Sequence, residues 1–491
     1  MRTTLAVLDK NGCNSVAPLI NALKSLRLAA GCYVLATPTA IVETDNLDEL
    51  KKKNMNSTVA VGCTFTKSHA HDRPLIAKIK NATLMFDGRF YPSIKEISLV
   101  KRLQLEHESI IGKLLRENEG DFSFIVAEPE GILAARDPIG VQPLYYGENA
   151  DFAAFASHMT GLWRLGVKIT KSFPPGNVAR ISKDGFKFKP IKTFEQLKPK
   201  KITLKEATQT LQKLMEHSIR IRVNDKKEVA VAFSGGLDSS VIAFLTKKCG
   251  ANVCLVHVSL HGQRETEEAK KAADELNLPL SCFLFEKEDV EKIVPKVVEL
   301  VEDPDPVKVA VGIPFYWVAK KTAESGLSVL LAGQGADEVF GGYQRYVNEY
   351  LSQGAEKLRH TMFADVIKLH ESNIERDEKI CGFHNVELRL PFASFQVAEF
   401  ALSLPIELKI ERESDGLRKI VLRKMAKNIG LPSNIVEKPK KAVQYSTGVN
   451  AVLGKIARKH GNTINEYVKM LFAEQIKILS DKENTDAKAG N

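Results

Sequence analysis

The stretch VAVAFSGGLDSSVIAFL, Val229 to Leu245, constrains this chain more than any other. A run of β-branched and small apolar residues ends in SGG, and a helical pattern with paired serines restarts just beyond. A buried strand that turns through glycines into a helix is the entry unit of a parallel α/β sheet, where ligands sit beyond the carboxyl ends of the strands. Ser234, Gly235 and Gly236 lie at that end. Glycine lets backbone approach a ligand closely, and the helix N-terminus that follows favours an anion. Ser239 and Ser240 add hydroxyls, so the turn suits a phosphate. GxxxxGK[ST] is absent and no GxGxxG opens a helix, so the site is neither a Walker loop nor a dinucleotide fingerprint.

The same grammar extends along the second half. Glu228–Phe233, Val253–Val258 and Leu280–Phe285 read as strands, Ser239–Lys248 and Thr266–Leu276 as helices, and the pattern is mostly helical from Glu349. The first half differs. In GDFSFIVAEPEGILAARD, Phe122, Phe124 and Val126 alternate before a turn and a second strand, a hairpin of an antiparallel sheet, and APLINALKSL has helical spacing. A chain of 491 residues exceeds one hydrophobic core. The reading is therefore two domains: an α+β antiparallel-sheet domain over 1–191, a lysine-rich linker over 192–204, an α/β domain with a parallel sheet and added helices over 205–479, and a polar tail over 480–491 expected to be disordered.

Composition excludes several classes. No apolar run approaches the roughly 18 residues of a membrane span, and the start lacks a signal peptide's apolar core, which places the chain in the cytoplasm. The formal net charge is +10, but Lys and Arg are interspersed with Asp and Glu, which reads as a solvated basic surface and disfavours a nucleic-acid partner. Cys13, Cys32, Cys63, Cys249, Cys254, Cys282 and Cys381 are odd in number and form no CxxC pair, which argues against a disulfide framework or a zinc site. His257 and His261 straddle a strand end and are not expected to be metal ligands.

A second glycine-rich loop follows the apolar run Val329 to Ala332 in SVLLAGQGADEVFGGYQRY. It carries Asp337 and Glu338. A carboxylate beside polyphosphate repels it unless a cation stands between, so Asp238 in the first loop calls for Mg²⁺. If the two strands are neighbours, Asp337 shares that metal.

SGGLDSS resembles the pyrophosphate-binding loop of ATP pyrophosphatases. With GQGADEVFGGY, ERDEKICGFHNVELRLPF (375–392) and KKAVQYSTGV (440–449) in this order, the chain resembles asparagine synthetases over nearly its whole length. ARDPIGVQPLYY, FASHM and FPPG resemble that family's N-terminal glutaminase domain. The resemblance implies an Ntn-hydrolase-like sandwich followed by an ATP-pyrophosphatase domain. It also implies a reaction in which ATP activates the β-carboxyl of aspartate as an acyl adenylate, with release of pyrophosphate, before ammonia attacks to give asparagine and AMP. By the same resemblance Ser234, Gly235, Gly236, Asp238, Ser239 and Ser240 bind the pyrophosphate of ATP, Asp238 and Asp337 hold Mg²⁺, and Val258, Ala332 and Gly333 line the AMP pocket. A lysine, Lys441 or alternatively Lys440, neutralises charge during adenylation.

Two departures qualify this picture. The family's glutaminase nucleophile is a cysteine directly after the initiator Met, where this chain has Arg2. The glutamine-binding NGE pattern reads Asp87, Gly88 and Arg89, and the later carboxylate position reads Ile110. The expectation is a retained fold without glutamine hydrolysis, so that aspartate and ammonia are the substrates and the protein partner is a second copy in a homodimer or an external glutaminase. The other departure is Gln334, where the family carries glutamate; an amide orients groups but accepts no proton at neutral pH. Three readings follow: an ammonia-dependent asparagine synthetase, an adenylating amidoligase of lactam type acting on another acid, and a non-catalytic ATP-binding regulatory protein.

Overall fold

The computed structural model describes residues 2–25, 31–66, 73–104, 106–413, 417–438 and 443–488. The chain divides into two compact units, Met1–Thr193 with Leu471–Asn491, and Phe194–Met470.

In the first unit two antiparallel sheets stack face to face. One has seven strands and is centred on Thr3–Asp9, which pairs with Phe152–Ala156 on one side and Val59–Thr66 on the other. The other has six and is centred on Gly131–Arg136, Glu119–Glu128 and Ala82–Tyr91. Alternation assigns the faces: Ala6 and Leu8 point into a core shared with Met85, Ile125 and Ala134, whereas Leu5 and Val7 face the helix Val16–Ser25. The helices Glu96–Leu103 and His107–Glu117 cover the outer face of the six-stranded sheet, and Ile110 packs there as an apolar side chain. The helix Ile464–Lys488 runs through most of the segment expected to be disordered. Its last stretch, SDKENTDAK, contains neither Pro nor Gly to stop a helix already formed upstream. Within this unit Trp163 packs edge-on against Phe472, and Arg164 donates to the Leu479 carbonyl.

The second unit is built on a parallel sheet of β1 (Glu228–Ala232), β2 (Asn252–Leu260), β3 (Leu280–Phe285), β4 (Val329–Leu331) and β5 (Glu387–Arg389), in the order 3-2-1-4-5. Helices α1 (Leu237–Lys248), α2 (Arg264–Leu276), α3 (Lys287–Val301), α4 (Pro306–Glu324), α5 (Ala336–Phe340), α6 (Glu375–Phe383) and α7 (Ile420–Ile429) belong to the same unit. Val229, Ala230 and Val231 are fully buried, as expected for a central strand covered on both faces. From β1 the chain builds outward to β3 and then returns to the other side of β1 as β4. The crevice between β1 and β4 is therefore the topological switch point, the place such sheets bind ligands. β5 is an edge strand, and its Arg389 is buried on Asp225 at 2.6 and 2.9 Å. No helix among the described residues is long and apolar enough to cross a membrane.

His384, the C-cap of α6, packs half-buried against the Tyr316 ring at 4.4 Å, and burial with nearby Lys320 pulls its pKa down to about 4. An imidazole depressed below its unfolded value of about 6.5 contributes stability that is present above that pH and is lost as pH falls towards the folded value. Wild type should lose on the order of 3 kcal/mol between pH 6.5 and 4 through this group, at about 1.4 kcal/mol per unit. Denaturant melts of His384→Phe across that window should show a shallower acid limb than wild type; parallel limbs would contradict the assignment.

Candidate active site

The first loop leaves β1 at Phe233 and enters α1 at Leu237. Gly235 takes φ +65°, and a Cβ there would lie 2.8 Å from the Ala269 Cα of α2, so the loop passes against that helix only as glycine. The turn is knitted by its own serines. The Gly236 amide donates to Ser234 Oγ at 3.3 Å, Ser239 Oγ donates to the Gly236 carbonyl at 3.3 Å, and the two hydroxyl oxygens lie 3.4 Å apart. Gly236 caps α1 without a side chain over the first-turn amides, the arrangement that leaves a helix N-terminus open to an anion. Ser240 Oγ is buried with no hydrogen-bond partner among the described residues.

The second loop leaves β4 and meets the first directly. A Cβ on Gly333 would lie 3.2 Å from the Asp238 Cβ. Ala332 is buried, and its amide donates to the Arg389 carbonyl of β5. Gly335, at φ +92°, starts the short helix α5 that carries Asp337 and Glu338. Across the crevice Lys419, at the N-cap of α7, joins the two loops. Its Nζ is 2.7 Å from both Asp238 carboxylate oxygens and 2.6 Å from Asp337 Oδ1. Two hard oxygen donors from separate loops thus converge on one cation position. No cluster of three or more potential metal ligands occurs among the described residues. That donor set fits Mg²⁺, which is held by one or two carboxylates together with substrate phosphates rather than by an all-protein cage.

A buried polar network backs the second loop. Glu338 accepts from Tyr343 Oη at 2.6 Å and from Asn373 Nδ2 at 2.8 Å. Asn373 sits in the π-helical turn His370–Ile374 that leads into α6, a backbone irregularity common at functional sites. Burial and the neighbouring Asp337 charge hold the Glu338 carboxyl above the usual range, and burial beside Glu338 pushes the Tyr343 phenol well up. Next along α6, Asp377 is fully buried, paired with Arg376 at 2.7 Å, and accepts from Gln334 Nε2 at 2.6 Å. Burial raises the Asp377 pKa. Glu375, Arg376, Asp377 and Lys379 of ERDEK are thus buried rather than a solvated helix cap, and only Glu378 is partly exposed.

The expected residues Ser234, Gly235, Gly236, Asp238, Ser239, Gly333 and Asp337 thus meet in one crevice, and Gln334 is turned onto Asp377. Val258 is buried but does not end its strand, because β2 continues to Leu260. Lys440 and Lys441 lie outside the described residues. Lys419 and Lys438 escape a reading by motif. Lys438 Nζ lies 3.2 Å from the Gly235 carbonyl and 3.0 Å from Glu268, against the first loop. Lysines in a helix start and a proline-flanked charged run carry no local signal of such a role.

In the first unit Arg2 Nε forms an ion pair with Asp87 Oδ1, while Gln142 Nε2 donates to Asp87 Oδ2 at 2.9 Å. Asp87 is buried. Arg136 spends its guanidinium on the carbonyls of Gly140, Gln142 and Phe173, and Asp137 accepts four backbone amides from Ile139 to Gln142. ARDPIGVQ is a self-satisfied structural loop. Removing the half-buried Arg2 leaves the buried Asp87 carboxylate without its cation, so Arg2→Ala should cost roughly 3 kcal/mol, and adding Asp87→Asn should recover part of it. A double-mutant cycle by urea melts checks this; additive effects would contradict the pairing.

A parallel sheet with an anion-binding loop and two convergent carboxylates at its switch point defines a nucleotide-phosphate-handling α/β enzyme. Comparison with known proteins narrows the class. The asparagine synthase family model matches residues 210–353 and 348–476, and the model of a glutamine amidotransferase domain matches 98–164. A putative glutamine-hydrolysing asparagine synthetase of Methanocaldococcus jannaschii is 33% identical over 83% of this chain and 86% of its own. The asparagine synthetase of Asparagus officinalis is 26% identical over 77% of this chain and 68% of its own, and a probable one of Dictyostelium discoideum is 26% identical over 76% and 70%. The chain belongs to the asparagine synthase family, a family of ATP-dependent amide ligases.

Proposed function

We propose that this chain is an ammonia-dependent asparagine synthetase: it adenylates the β-carboxyl of aspartate with ATP, releases pyrophosphate, and amidates the β-aspartyl-AMP with ammonia, releasing AMP. The observation that carries the reading is the convergence of Asp238 and Asp337, from two loops, on one cation position at the switch point. Ser234, Gly235, Gly236, Ser239 and Ser240 take the pyrophosphate through amides and hydroxyls, and Val258, Ala332 and Gly333 bound the AMP side. Mg²⁺, held by Asp238 and Asp337, supplies charge neutralisation for the polyphosphate when bound. A lysine of the 440–441 pair supplies a further fixed cation.

The choice of ammonia over glutamine is supported by Arg2 and Asp87. Thiolysis of glutamine needs a nucleophile and amide donors aimed at a developing oxyanion. Here a buried carboxylate, already held by an arginine and a glutamine, stands where the family pattern has the donating amide. The second reading, a different acid or amine, is favoured by one observation: Gln334, an amide where the family pattern has a glutamate, donates to Asp377 and offers no carboxylate of its own to the crevice. The test is release of pyrophosphate and AMP with ATP, Mg²⁺ and ammonium, varying the acid. Asparagine formed from aspartate supports the first reading, and turnover restricted to another acid supports the second. ATP bound without any turnover leaves a regulatory role.

A further inference from the structure

We propose that Lys419 is the site's resident cation: it clamps Asp238 and Asp337 together before nucleotide arrives, then passes its hydrogen bonds to pyrophosphate oxygens of ATP. The inference rests on the adenylation reading and adds to it a phosphate-binding residue. Three observations carry it. The ammonium touches carboxylates from both loops at 2.6 to 2.7 Å, although residues 238, 337 and 419 are far apart in the chain. The side chain is 3% exposed, and its Cε would lie 2.5 Å from a Cβ on Gly342, so it is fixed by packing. The backbone of Lys419 is left-handed, at φ 59° and ψ 40°, at the start of α7.

A non-glycine residue in that conformation is strained and persists only where its surroundings over-determine it. They do so here: the Ile420 amide donates to the Lys409 carbonyl at 3.0 Å and the Arg423 amide to the Lys419 carbonyl at 2.8 Å. Glycine would adopt the turn at lower cost, so what a lysine adds at this position is its ammonium.

Charge decides the rest. Two carboxylates and one ammonium leave the clamp with a net charge of −1, which by itself repels a polyphosphate. A divalent cation entering with the nucleotide competes for the same oxygens that Lys419 holds. An ammonium has three donors and no acceptor, so once released it meets phosphate oxygens, the acceptors brought into the crevice. Lys419 thus neutralises the carboxylates in the empty site and the leaving pyrophosphate in the reacting one.

The test uses the full-length protein and the variants K419M, K419Q and K419R, each checked for folding by thermal melting. Mn²⁺ binding without nucleotide is read by electron paramagnetic resonance, and binding of inorganic pyrophosphate by calorimetry. A neutral variant should bind Mn²⁺ at least about 5-fold tighter, because its competitor is gone, and pyrophosphate on the order of 10²-fold weaker. K419R should hold pyrophosphate within about 10-fold of wild type. A purely structural ion pair predicts no gain in Mn²⁺ affinity. A folded K419M or K419Q with wild-type affinity for pyrophosphate overturns the proposal, as does a K419R that binds pyrophosphate as poorly as the neutral variants. These readouts are independent of substrate identity: normal pyrophosphate binding without turnover on aspartate removes the proposed function and leaves Lys419 in its role.

Discussion

Asp238→Asn lowers ATP–pyrophosphate exchange by about 10³-fold and leaves a folded protein. The fall is at the upper end of what removal of one electrostatic group costs an active site. The reason is the small donor set: two carboxylates converge in the crevice, and the asparagine takes away one of the two charges proposed to hold a metal with its phosphates. Folding survives because asparagine retains an acceptor oxygen for Lys419 and Asp337 keeps the ion pair. The measurement is isotope exchange between ATP and labelled pyrophosphate at several Mg²⁺ concentrations. Loss that saturating Mg²⁺ fully rescues would show that the residue sets metal affinity alone; an unchanged rate would remove Asp238 from the site.

Gly342→Ala is the second large effect, and it acts without touching a charge. A Cβ there would lie 1.9 Å from Asp337 Oδ1 and 2.5 Å from Lys419 Cε. No rotamer of a methyl group relieves such overlap, and the neighbours are themselves pinned, so the carboxylate and the ammonium must separate. We expect exchange to fall by at least 10²-fold, because a shift of about 1 Å in a catalytic group costs that much. Destabilisation should reach about 1 to 3 kcal/mol from overpacking. Gly382→Ala is the control, since a Cβ there meets nothing within 4 Å. Activity loss shared by both variants would point to a general effect of adding a methyl group and contradict the close-approach argument.

The parallel sheet was legible because its strands are continuous apolar runs and its turns carry glycine. β1, α1, β2, α2 and β3 begin and end within a few residues of the sequence reading. β5 was not: Glu387 and Arg389 are two of its three residues, and a strand whose arginine is buried only because Asp225 and Glu387 pair with it has no apolar signature. Asp238 and Asp337 were legible through loop chemistry, since an acid in a glycine-rich anion loop asks for a cation. The cation that meets them was not. Lys419 opens an amphipathic helix in GLRKIVLRK, where a lysine is an ordinary surface residue, and its left-handed backbone has no glycine or asparagine to announce it. The replacement of an amide pattern by Asp87 was visible, but its pairing with Arg2, which precedes the strand Thr3–Asp9 of the other sheet, required coordinates.

The most direct test of the account is pyrophosphate release by the wild-type protein with ATP, Mg²⁺ and aspartate, comparing ammonium chloride with glutamine as the nitrogen source. With ammonium the products should be asparagine, AMP and pyrophosphate; with glutamine nothing should form above the nitrogen-free background. Glutamine-supported asparagine formation accompanied by glutamate would overturn that reading, because it would require a working nucleophile in a domain whose second residue is Arg2, paired with Asp87.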